Sequence, residues 1–201
     1  QVNNPIGRTA HAAQQRNRVV QLVRFGIKAD LDQALREARA ISLPWYASQA
    51  LSYVAAHAPA DEVIALTTEA QDRLAGSPDP YTPAAGAAWP LAVLADRGHV
   101  ELAATRLTAA LAEAKAITHD GSRAEALMLL FAHLHTHNHG FWERILEALA
   151  EFAGTSPRHW RHDRALRDIT IWGARRDPDL IRRVLAVWPD CRHKRAALAR
   201  I

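Results

Sequence analysis

A single cysteine, Cys191, in 201 residues leaves the chain without an internal disulfide, so nothing in it calls for an oxidising compartment. Aromatic residues make up only 6% of the chain, β-branched residues are thin, and no stretch alternates polar with apolar, which removes the material of a sheet. Long apolar runs are missing too. The longest, Pro83 to Ala95, is interrupted by Gly86 and Pro90 and falls well short of the ~20 residues that a membrane-spanning helix needs. No basic-then-apolar leader follows Gln1. There is no G-x-S-x-G nucleophile elbow and no glycine-rich phosphate loop. The expectation is a soluble, cytoplasmic chain that does not enter a membrane, has no catalytic residue and needs no cofactor.

What remains is dominated by alanine, with 41 copies, and by leucine and arginine, so summed propensity favours helix almost throughout. With 49% apolar residues, residues 1–201 can bury one continuous core as a single domain. Apolar spacing and punctuation predict about eleven helices, at roughly 9–25, 30–41, 43–58, 60–74, 82–96, 99–117, 123–136, 140–153, 157–175, 178–188 and 190–201. Thr82-Pro83, Ser156-Pro157 and Asp177-Pro178 each set a capping side chain before a proline at the first helical position. Ser122 and Glu125 have the spacing of a capping box. Pro90 falls inside the predicted helix 82–96, where it deprives the Gly86 carbonyl of its donor and predicts a kink. The last segment, Arg195 to Ile201, reads as helix and stops without a glycine or proline, as a piece of a longer protein would.

A repeat emerges when alternate helices are aligned. Ala50-Leu51-x-x-Val54, Ala88-Trp89-x-x-Ala92, Ala126-Leu127-x-x-Leu130, Ala165-Leu166-x-x-Ile169 and Ala197-Leu198-x-x-Ile201 put their alanines 38, 38, 39 and 32 positions apart. A small residue at a fixed point lets the next helix approach, and the large residues one and four positions on fill the groove between hairpins. The pattern resembles the tetratricopeptide-like and HEAT-like helical repeats, with a spacing of 38 instead of 34 and without the tetratricopeptide Trp, Gly, Tyr and Pro signature. The resemblance implies a right-handed α-solenoid of about five hairpins that holds a peptide or partner protein. The Ala-Leu-x-x-Ile core is also similar to the alanine-rich repeats appended to large bacterial signalling ATPases.

Charge supplies the second reading. Net charge is +4, but residues 157–201 carry twelve Arg or Lys against five Asp or Glu, about +7, leaving about −3 for residues 1–156. Arg158, Arg161, Arg164, Arg175 and Arg176 occur there with Trp160. Guanidinium forks match phosphate and an indole offers stacking, so nucleic acid is the alternative partner. The opposing reading is a solvated helix face, since Asp163, Asp168, Asp177 and Asp179 dilute the field. Among the six tryptophans, Trp89, Trp142 and Trp188 fall on apolar stripes and read as core, while Trp45 and Trp160 stand near helix starts as candidate contacts.

Histidines carry the third reading. His133, His135, His137 and His139 crowd one helix end, and the i, i+4 spacing of His133 and His137 is that of two metal ligands on one face. The competing reading is a solvated end where the helix dipole favours imidazolium. His119-Asp120 and His162-Asp163 resemble the pair of the helical HD phosphohydrolases, which implies a metal-dependent hydrolase. Cys191, followed by Arg192, His193 and Lys194, is either an activated thiol or a small residue at a hairpin junction.

Overall fold

The structure, a computed structural model, describes residues 5–24, 27–137, 140–155 and 160–201. These are all-helical, with no strand among them. In chain order the helices are α1 (Pro5–Val23), α2 (Lys28–Ala40), α3 (Pro44–His57), α4 (Val63–Ala75), α5 (Tyr81–Gly86), α6 (Ala88–Asp96), α7 (Val100–Ala116), α8 (Asp120–Leu134), α9 (Phe141–Thr155), α10 (Trp160–Gly173), α11 (Pro178–Val187) and α12 (Arg192–Leu198). The expected helix 82–96 is two segments, α5 and α6, divided at Ala87, and the other ten expected helices each have one counterpart. Pro90 explains the division: it has no N–H to offer Gly86, and the neighbouring bonds run from Ala87 N to Pro83 O and from Leu91 N to Ala87 O. Gly86 itself cannot carry a side chain without moving Leu74, because a Cβ there would lie 2.6 Å from Leu74 Cδ2.

Two of the expected caps are replaced. Asp177 does accept from Leu180 N at 2.8 Å, and Ser156-Pro157 lies outside the described residues. Ser122 and Glu125, however, form no capping box, because α8 begins three positions earlier than expected and the ring of His119 takes the cap, its Nδ1 accepting from Ser122 N. Thr82 is likewise inside α5, and Asp79 does the capping with bonds from Thr82 N, Thr82 Oγ1 and Ser77 Oγ. Partial burial works against ionisation of Asp79, but these bonds prevail and hold its carboxyl below the usual carboxylate range.

The helices fall into two series by contact. α1, α3, α5 with α6, α8, α10 and α12 each touch the next in that order, while α2, α4, α7, α9 and α11 lie against them. Among the described residues no helix touches one more than three segments along the chain. Small residues make the first series close-packed: Ala50, Ala88, Ala126 and Ala197 are fully buried, and so is Ala12 on α1, which extends the spacing of 38 back by one step. Leu51, Val54, Leu127 and Leu130 are buried beside them, whereas Leu198, at the matching place on α12, is 47% exposed. Burying each leucine contributes about 1.5–3 kcal/mol.

Long polar side chains join the rest. Arg97, just beyond α6, donates to the carbonyls of Ala55, Ala56 and Ala58, satisfying the last turn of α3. Along the second series Arg39 forks onto Glu69, Arg106 Nη2 donates to Thr68 Oγ1, and Arg144 Nη2 donates to Thr108 Oγ1, the latter two at 2.6 Å. Among the described residues no helix is long and apolar enough to cross a membrane.

Candidate binding surface

Half-buried rings run across the first series of helices. Trp45, in the first turn of α3, stacks on Tyr81 of α5 with ring centroids 5.8 Å apart and meets the edge of Trp89 on α6 at 5.2 Å. Trp89 in turn lies 4.7 Å from the imidazole of His133 on α8. Residue numbers 45, 89 and 133 differ by 44, six more than the spacing of the buried alanines. Each successive helix therefore contributes a residue almost two turns further along, and the row crosses the helices as a diagonal. All four rings keep part of their surface in solvent, a setting in which aromatic faces offer large contact area at little entropic cost.

A second group of rings continues past α8. Phe131 and His135 stack with centroids 5.1 Å apart, and both meet Trp172 of α10 edge-on. Trp142 of α9 braces Trp172 from behind at 5.2 Å. The guanidinium of Arg176 sits 3.6 Å from the Trp172 ring centroid, a cation–π contact at the outer end of the group. At the opposite end Arg16 of α1 bonds the buried amide of Gln49 at 2.7 Å and lies over Tyr46.

The sequence candidates divide between these rings and the solvent. Trp45 belongs to the row, and so does Trp89, which is half-buried there instead of core; Trp142 and Trp188 are buried as expected. Trp160 is 58% exposed at the start of α10. Arg164 faces solvent 3.9 Å from Asp168, and Arg175 and Arg176 are exposed in the turn that follows α10. Arg158 and the side chain of Arg161 lie outside the described residues. Of the acids expected to dilute the field, Asp168 is also paired with Arg167 and Asp179 with Arg182, while Asp177 caps α11.

The histidines have separate occupations. His133 packs on Trp89, while His137 Nε2 bonds Asp96 Oδ1 at 2.8 Å and tethers the end of α8 to the end of α6. His135 Nδ1 faces the carbonyls of Phe131 and Ala132, and His139 lies outside the described residues. Burial first, and the neighbouring His135 second, push the His133 imidazole below its ordinary range, so it is neutral at pH 7. No group of three or more His, Cys, Asp or Glu able to hold a metal ion occurs among the described residues. His119 and Asp120 serve α8, as its cap and as the partner of Arg123. Asp163 accepts from Trp188 Nε1 at 3.4 Å. Cys191 is buried and caps α12, its Sγ accepting from Lys194 N, a structural use of the thiol.

Tyr81 and the pairing of Trp89 with His133 escaped the sequence reading. The signal for the pairing is the spacing of 44, invisible as long as only equivalent helix positions are aligned, and Tyr81 falls outside that spacing. Compared with known proteins, the chain matches no family model, and no curated protein and no solved structure matches it.

Proposed function

We propose that the chain is a helical-repeat scaffold, an α-solenoid of about five hairpins built like the tetratricopeptide-like and HEAT-like arrays, that binds a protein or peptide across its first series of helices. The observation that carries this reading is the diagonal of half-buried rings, Trp45, Tyr81, Trp89 and His133. Tryptophan and tyrosine are enriched among the residues that anchor protein interfaces. Further support comes from the unequal spacing of the two series between α1 and α7, beyond which α9 touches both α7 and α11. Alanines draw the first series together, while α2 and α4, and α4 and α7, meet only through long side chains. Hairpins wedged in this way curve an array with the first series inside, where an extended segment crosses several helices at once.

The test is a selection of peptides from a random display library on the intact chain, followed by measurement of the winners on Trp45→Ala and Trp89→Ala. Loss of affinity by about tenfold or more in each is the expected result. Winners indifferent to both rings would sink the reading.

The exposed Arg175 and the Trp172–Arg176 contact support a second reading, a nucleic-acid strand held at the α10 end. It predicts that labelled single- or double-stranded oligonucleotides bind with an affinity that falls steeply with salt and is lost when Arg175 and Arg176 are changed to glutamine. Absent or salt-insensitive binding removes it.

A further inference from the structure

Two grooves separate successive helices of the second series, and they are built on the same plan. The first, of about 200 Å³, lies between α4 and α7, and the second, of about 350 Å³, between α7 and α9. Arg106, Ala109, Ala110 and Glu113 line the first from α7; Arg144, Glu147, Ala148 and Glu151, each 38 positions on, line the second from α9. In both, the arginine crosses to a threonine hydroxyl on the preceding helix at 2.6 Å. In both, a glutamate stands two turns beyond that arginine.

The grooves differ by one charge. The second holds Lys115 and Arg144 against Glu147 and Glu151, which balances, and Lys115 Nζ is 2.6 Å from Glu151. In the first, Asp72 and Glu113 face Arg106 alone, so it is one positive charge short. Glu113 has no ion-pair partner among the described residues. Burial pushes the Glu113 carboxyl up, and it pulls the Arg106 guanidinium down against the pull of Asp72. A groove whose neighbour is completed by an ammonium, and which lacks that ammonium itself, selects its occupant by charge.

We infer that the groove between α4 and α7 receives the lysine side chain of a bound polypeptide, its ammonium set against Glu113 as Lys115 is set against Glu151. The alkyl stem lies along Ala109, Ala110 and the ring of Pro83, and the charge comes to rest at the exposed mouth. This inference rests on the reading of the chain as a polypeptide binder but uses a different face from the rings.

Amide chemical shifts of the intact chain, titrated with Nα-acetyl-lysine amide and with its uncharged Nε-acetylated analogue, test it. The charged probe is expected to move the amides of Asp72, Ala110 and Glu113 saturably, and the neutral one to leave them in place. Glu113→Gln, an exposed substitution, weakens the charged probe by about fivefold. Silence of the first groove would overturn the inference, as would an equal response to the neutral probe or indifference to Glu113→Gln. A negative result here leaves the peptide selection on Trp45 and Trp89 untouched, so the two readings fail separately.

Discussion

The two series of helices are held by different physics. On the first, alanines at a fixed position let backbones approach, and leucines and rings close the space, so cohesion comes from apolar burial, which salt does not screen. On the second, arginines and lysines bridge α2 to α4, α4 to α7 and α7 to α9 across grooves. Such bridges are individually weak and exchangeable for outside charges. The difference teaches where the chain keeps its stability and where it has polar groups free for other partners.

The sharpest way to break the comparison is to cut into the close-packed series. Leu127→Ala leaves a cavity beside Ala126 and is expected to cost about 2–5 kcal/mol by urea denaturation. Leu198→Ala, at the matching but half-exposed place, is expected to stay within about 0.5 kcal/mol. Equal losses would mean that burial does not distinguish α12 from α8. Next in size is Arg97→Met, which strips the end of α3 of its donors and is expected to cost about 1–3 kcal/mol. On the second series Arg39→Gln opens an exposed fork, and its cost, below about 1 kcal/mol, is expected to vanish in high salt. A loss that persisted in 1 M salt would place the pair among the rigid contacts.

The smallest effect sharpens the role of His133. Its imidazole is disfavoured as a cation in the fold, so the unfolded chain binds the proton first, and stability falls as pH drops below about 6.5. Comparing denaturation midpoints of the native chain and His133→Phe between pH 7.5 and 5 isolates that slope. The variant is expected to lose less stability on acidification, and identical slopes would show that the ring is not desolvated beside Trp89.

Much of the fold was legible because helices announce themselves locally. Proline after aspartate started α11, and Pro90 broke the helix one turn upstream of itself, both from backbone chemistry that no distant contact can reverse. The misplaced starts of α5 and α8 have a common cause, since Asp79 and His119 accept from the amides of Thr82 and Ser122 themselves and so start each helix earlier. Of the surface, Trp45 was visible as an indole near a helix start, but Trp89 shares an apolar stripe with core residues and only its neighbours decide which side of it stays wet. His133 and His137 show the same limit: four positions apart on one helix, they are claimed by an indole and a carboxylate from elsewhere in the chain.

Arg97 carries a consequence for the order of events during synthesis. The last carbonyls of α3 belong to residues that leave the ribosome about forty positions before the guanidinium that satisfies them. In an emerging chain those carbonyls are left to water until α6 has been made and has docked. A pause in translation anywhere between His57 and Arg97 would hold the nascent chain with that end open, in the state most accessible to chaperones and proteases.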